Sequence, residues 1–300
     1  MPALLALVVV TAVWGVTFVQ VKDAVELYPL FAFLAVRFLI AAVVLAAPAA
    51  PRLRSLGRRG WFAGASLGLL LALGYALQTA GLDRTTVSSA GFITGLYVVF
   101  TPLLGLLLFR TRVGRAVWVG VALSVAGLAM LSGVGAGDPV GDLLVLGGSA
   151  AYSLQIALME RYAPRYDPIA FTQAEMLAAF AGFAAVAVAL GQIELPRGWT
   201  VWGALLVTGI FASALGFLVQ TWAQRRTSAT RTALAFAMEP VFAGIFGFWL
   251  AGDRLGVLGW SGCAVIMAGI LVAEPEAGRT LRRLVGRRPD HAKQQTVTWR

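Results

Sequence analysis

Little in this 300-residue sequence can be ionised, oxidised or coordinated: charged residues make up 13%, and there is one cysteine and one histidine. A lone cysteine, Cys263, excludes a disulfide framework and any thiolate metal cluster. His291 stands in a polar tail, so no histidine-based zinc or haem centre is expected. The only lysines are Lys22 and Lys293, which removes a serine–lysine catalytic pair. Cys263 has no adjacent base either, so the parts of a nucleophilic membrane enzyme are missing. No Walker sequence or strand-bounded dinucleotide fingerprint is present, so neither ATP nor a nicotinamide cofactor is expected.

What is abundant is apolar. Hydrophobic residues reach 59%, and mean hydropathy is +0.81. Soluble chains average about 45–50% apolar and about 25% charged residues. The departure points to a bilayer, in which a spanning helix needs about 20 apolar residues. Ten such stretches can be read: 3–21, 28–48, 61–80, 87–109, 114–131, 142–159, 168–190, 200–222, 230–250 and 256–273. Residues 67–73 and 181–190 are apolar or small on every side. They lack the two-residue alternation of barrel strands, so the spans are helices. No positive segment precedes Met1–Val10, and the apolar run continues through Trp14 and Phe18. It reads as a retained first span rather than a cleaved signal.

The net charge of +10 has a topological account. With a cytoplasmic N-terminus, 19 basic residues fall in cytoplasmic segments and 4 on the opposite side. That bias predicts both termini inside the cell, in an inner (cytoplasmic) membrane. It also makes nucleic acid an unneeded partner and leaves the lipid bilayer as the main one. Residues 274–300 form a basic tail, expected to be disordered.

The two halves of the chain share landmarks at an offset of 138 to 142 residues. Pro29 matches Pro168. Gln78-Thr79, followed by Arg84-Thr85-Thr86, matches Gln220-Thr221, followed by Arg226-Thr227-Ser228. Thr101-Pro102 matches Glu239-Pro240, and Gly120 with Gly127 matches Gly262 with Gly269. Five spans per unit force the second copy to enter the membrane from the other face. The expected fold is therefore all-α, with ten transmembrane helices as two inverted five-helix repeats, 1–132 and 142–273.

With these residues in view, the chain resembles the drug/metabolite transporter superfamily, in its EamA-like branch. The likeness covers about residues 5–273. It rests on Ala12-Val13-Trp14-Gly15 with Phe18, on Pro29 with Arg37 eight residues on, on Glu239-Pro240, and on the glycine-rich fifth and tenth spans. The resemblance implies a central cavity and export or exchange of small polar metabolites or amino acids. The first half carries Thr101 where the second carries Glu239, so the weight placed on that glutamate applies to the second half alone.

Three ionisable residues lie inside spans: Arg37, Glu175 and Glu239. Charge at membrane depth is costly and marks a functional candidate. Glu239 could contact a substrate amine or exchange a proton. Arg37 could hold a substrate carboxylate in a fork. Glu175 stands near the position equivalent to Arg37, and Arg37 with a glutamate could form a buried pair. Each has a structural alternative: a packing contact beside a kink, a helix anchor, or an ion pair.

Trp14, Gln78, Tyr97, Thr101, Tyr152, Gln220 and Phe236 complete the candidate substrate site, with Tyr75, Thr94, Gln155, Gln173 and Trp222 as further polar or aromatic lining. Pro102 and Pro240 are expected kinks. Gly60, Gly64 and Gly68 recur on one helix face and read as packing within one chain, so a monomer is expected. The function these features predict is a secondary transporter working by alternating access. A channel-like facilitator and a non-transporting scaffold are the alternatives.

Overall fold

The computed structural model describes residues 2–82, 84–85, 87–132, 138–246, 248–249 and 256–273. Thr86, Arg254 and the basic tail 274–300 lie outside the described residues, as does part of the glycine-rich break after Gly133.

Among the described residues the structure is helical throughout, and its helices line up as ten rods. They are α1 (Pro2–Val25), α2 (Leu30–Ala49), α3 (Leu53–Leu82), α4 (Val87–Gly95) with α5 (Tyr97–Phe109), α6 (Arg115–Ser132), α7 (Pro139–Tyr162) and α8 (Pro168–Ala189). The eighth rod joins α9 (Trp199–Val207), a π-helical segment (Thr208–Leu215) and α10 (Gly216–Gln224). The ninth joins α11 (Ala229–Phe236) and α12 (Glu239–Phe246), and α13 (Val257–Ala273) is the tenth. Each rod coincides with one of the ten apolar stretches, give or take a turn, except that α3 starts eight residues earlier than expected, at Leu53, with a kink at Gly57 before the apolar stretch. Six helical stretches are long and apolar enough to cross a bilayer, and three more helices are apolar but shorter. The protein is a helical membrane protein. Its outer surface agrees with lipid contact, since large apolar side chains such as Phe62 (77% exposed) and Leu107 (74%) point outward.

Local chemistry fixes the helix ends. Asp138 caps α7 by accepting from Gly141 N at 3.2 Å, and Pro139 fills the first turn, where no hydrogen bond is lost. Asp167 and Pro168 repeat this at α8, with Ile169 N and Ala170 N donating at 3.0 and 3.1 Å. Ser228 does the same for α11. At the far end of α8, Gly191 takes φ +67°. There Gln192 N donates to Ala187 O and Gly191 N to Val188 O, the paired bonds of a left-handed glycine cap.

Packing follows the small residues. The helix α6 lies against α13, and α3 lies against both α7 and α8. A Cβ on Gly127 would stand 2.6 Å from Gly262 O, and one on Gly262 would stand 2.6 Å from Gly127 O. Gly120 and Gly269 face one another in the same way, at 2.5 and 2.7 Å. A Cβ on Gly64 would meet Ala174 Cβ at 2.8 Å, and one on Gly60 would meet the Tyr166 ring. Between lipid-bathed helices no water is released on contact, so close approach and dispersion supply the association. The glycines of α3 pack within the chain.

Among the described residues a small apolar core packs α3 against α7 and α8 through Leu67, Met159 and Phe171, beside two larger ones. One joins α2, α8 and the eighth rod through Phe33, Phe38, Phe183, Met176 and Phe217. The other joins α1, α5, α6, α11 and α13 through Leu7, Val98, Leu128, Leu234 and Ile266.

Gly127→Val should push α6 off α13 and lower stability by about 1–3 kcal/mol, as overpacking does. Gly91→Ala, where a Cβ would meet nothing within 4 Å, should leave it unchanged. Thermal unfolding of the detergent-solubilised protein compares the two.

Candidate functional site

Arg37 sits eight residues into α2 and is 7% exposed. Burial of its charge requires partners. The eighth rod provides one through its π-helical segment. Widened turns there place the Ser213 hydroxyl 2.7 Å from Arg37 Nε. They also turn the Ala212 carbonyl outward, where Trp14 Nε1 donates to it at 2.8 Å. π-helical turns carry extra backbone that re-aims side chains and carbonyls, and they recur at functional sites. Gly209 makes room for the crossing, since a Cβ there would lie 3.1 Å from Arg37 O.

From Arg37 the polar groups continue as a chain. The Tyr75 hydroxyl lies beside its guanidinium, and the Tyr75 ring meets Tyr152 edge-on at 5.4 Å. Tyr152 donates to Gln78 Oε1 at 3.1 Å, and Gln78 Nε2 donates to Thr94 Oγ1 at 2.9 Å. Trp14 closes the other wall, with Phe236 at 4.9 Å and Phe217 at 5.7 Å between ring centroids.

Glu239 stands at the break between α11 and α12, among these groups. Arg37 is the cation within its electrostatic reach, and the Tyr75, Tyr97 and Tyr152 hydroxyls lie within the same field. Trp14, Tyr75, Gln78, Tyr152 and Glu239 are all half-buried. Polar groups in mid-bundle that keep some accessible surface are a property of a cavity lining.

The structure thus gathers Trp14, Arg37, Gln78, Tyr152, Phe236 and Glu239. It seals the remaining candidates in the interior. Glu175 and Gln220 are sealed at 0% and 1% exposure in a second cluster with Gln155. Arg37 pairs with Ser213 and not with Glu175. Tyr97 is buried, and its backbone carbonyl accepts from Ser153 at 3.4 Å. Thr101 is fully buried with its hydroxyl unpaired.

The two prolines also behave differently. Near Pro240 the break falls at Ala237 and Met238, directly ahead of it. In the fourth rod the break falls at Leu96, and Pro102 lies inside α5. Leu96 N bonds three residues back, to Ile93 O, and Phe100 N bonds to Leu96 O, so the backbone re-forms a full turn before the proline.

Ser213, Phe217 and Gln224 escape a reading of sequence alone. Ser213 stands within Ala212-Ser213-Ala214, which reads as small-residue packing. Phe217 has one signal, the repeat, since it lies 142 positions after Tyr75, as Gly216 does after Gly74 and Gln220 after Gln78.

The fold and the mid-bundle polar site define a polytopic membrane transporter. The chain belongs to the EamA-like transporter family, whose model matches residues 1–133 and again 139–273. This places it in the drug/metabolite transporter superfamily, and makes it a transporter rather than an enzyme. An uncharacterized transporter of Archaeoglobus fulgidus is 32% identical over 268 residues, covering 89% of this chain and 84% of its own. The uncharacterized inner membrane transporter YedA of Escherichia coli K12 is 28% identical over 284 residues, covering 91% and 90%. A crystal structure with 20% identity superposes with a TM-score of 0.77 over 93% of this chain and 98% of that one, and shows the shared fold.

Ser213→Ala should cost about 1.5–3 kcal/mol, because it leaves a buried charged group one hydrogen bond short. Ser213→Thr should restore most of that loss. Chemical denaturation of the purified protein measures both.

Proposed function

We propose that the chain is a secondary transporter exporting small polar metabolites, amino acids among them, across the inner membrane by alternating access. The observation that carries this reading is that Arg37 and Glu239 lie within electrostatic reach of one another among aromatic and polar side chains. A zwitterion fits such a site. Its carboxylate would engage the Arg37 guanidinium, whose planar fork favours carboxylates. Its ammonium would lie on Glu239, and an apolar side chain would rest against Trp14, Phe217 and Phe236. Tyr152 and Gln78 would complete the polar rim.

Alternating access needs two halves that can exchange roles, and an in-plane two-fold relation supplies them. Several contacts support it. Arg37 O lies against Gly209, and Glu175 O lies against Gly68. Trp14 lies against Gly216, and Tyr152 lies against Gly74. Every member of the first pair in each case matches the second pair at an offset of 138 to 142 residues. The reciprocal glycines of α6 and α13 follow the same rule. The sealed packing of Gln155, Glu175, Gln220 and Gln224 beyond one end of the site favours a cavity closed on one side over a continuous channel. Both termini are assigned to the cytoplasm on the distribution of basic residues, and export follows the family resemblance.

Cells expressing wild type, Glu239→Gln, Arg37→Gln or an empty vector would be loaded with an amino-acid and dipeptide mixture. The wild type should enrich particular compounds in the medium at least several-fold over the vector. Both variants, present in the membrane at equal amounts, should lose that enrichment. Equal media from wild type and vector would rule out amino-acid export, and enrichment surviving both substitutions would remove Arg37 and Glu239 from the site.

A further inference from the structure

The second polar cluster lies beyond the central site, toward the Tyr162 end of α7 and the Gln224 end of α10. Gln155 Nε2 donates to Glu175 Oε1 at 2.7 Å. Gln220 Nε2 donates to Gln155 Oε1 at 3.1 Å and to Gln224 Oε1 at 3.0 Å. Gln224 Nε2 donates to the Ile156 carbonyl at 2.8 Å. Glu175 is 0% exposed, and each of the three glutamines is 1% exposed. Two acceptors in this sealed network meet no donor: Glu175 Oε2 and Gln220 Oε1.

The charged and titratable surroundings of Glu175 are sparse on every packed element. Its own helix, α8, carries Asp167 at the N-cap, directed to Ile169 N, Ala170 N and Arg52. From α3 it meets Gly64 and Gly68, whose missing side chains admit the α8 backbone, and Tyr75 lies two turns further on. From α7 it meets Gln155, which stands between Tyr152 and Glu160. Glu160 is directed to Ala229 N. From α10 come the glutamines, with Arg225 and Arg226 exposed beyond them. On α2, Arg37 is directed to Ser213. Among the described residues no cation lies within ion-pair distance of Glu175.

An ionised carboxylate so enclosed, with one amide donor and no counter-charge, would bear a large desolvation cost. A proton on Oε2 removes that charge. It also converts an unpaired acceptor into a donor, in a network that holds an unpaired acceptor of its own, Gln220 Oε1.

We propose that Glu175 is a proton-binding site distinct from the central site, its carboxyl group carrying one proton on Oε2 while the glutamine cluster is closed. The cluster draws its members from α7, α8 and α10. Movement of α8 against the other two would part Gln155 from Glu175 and expose the carboxyl to water, where the proton can leave. This coupling step rests on the transporter reading above. It assigns the coupled proton to Glu175, which has no cation in reach, and not to Glu239, which has Arg37.

Infrared difference spectroscopy of the full-length protein in liposomes, titrated with acid and base alone, tests the binding site without any substrate. The wild type should show a protonated-carboxyl C=O band that is absent in Glu175→Gln and retained in Glu239→Gln. Glu175→Asp and Gln155→Leu should each shift the band, the second through loss of one hydrogen bond. Exchange of sodium for potassium should leave it in place. A spectrum unchanged by Glu175→Gln or Glu175→Asp, or a band that follows sodium, would overturn the proposal.

For coupling, an imposed proton gradient should stimulate amino-acid flux in wild-type liposomes and fail to do so in Glu175→Gln, with gradient-free exchange retained. Stimulation that persists in the variant would overturn the coupling role. Absence of any wild-type flux would instead defeat the amino-acid reading, while the spectroscopic result stands apart from it.

Discussion

Hydrocarbon offers a peptide group no hydrogen bond, and the rest of this structure answers to that fact. A rod that crosses the bilayer must bond its own backbone from end to end, or break only where protein or a cavity receives the freed groups. Among the described residues four rods break, at Gly57 in α3, at Leu96, across Thr208–Leu215 and at Ala237–Met238. The last two border the central site. The π-helical segment yields a carbonyl to Trp14 and a hydroxyl to Arg37. The break before Pro240 places Glu239 at the start of a new helix, in reach of the same arginine. Departure from regular helix and concentration of polar chemistry therefore coincide.

The same solvent removes the usual force for helix association, so closeness must replace it. Glycine supplies closeness along α3, α6 and α13. Where the backbones nearly touch, side chains at the edges are forced into defined neighbours: Tyr152 over Gly74, Trp14 over Gly216. The aromatic walls of the site are thus set by residues that carry no side chain at all.

Much of this was legible in the sequence, for physical reasons. Rod positions follow from apolar length. The packing role of Gly60, Gly64 and Gly68 follows from their spacing. Arg37 and Glu239 stood out as candidates because charge at membrane depth is expensive, and the structure brings both near Trp14. The division of the polar residues into a half-buried group and a sealed one was not legible. Gln78 and Gln220 read alike in sequence, yet one is half-buried and the other is enclosed, because exposure depends on which rods lean together. The π-helical turns were equally hidden, since no local pattern in 208–215 marks them. Ser213 became polar machinery only through those turns.

At the meeting of α6 and α13 each glycine faces the carbonyl of the other helix's glycine. A single methyl on either side would fill the same gap, and the opposite residue is already the smallest available. No second substitution can give back the lost space. Gly127 and Gly262 are thereby bound into one unit of inheritance, as are Gly120 and Gly269: neither member can drift unless the two helices find a different way to cross.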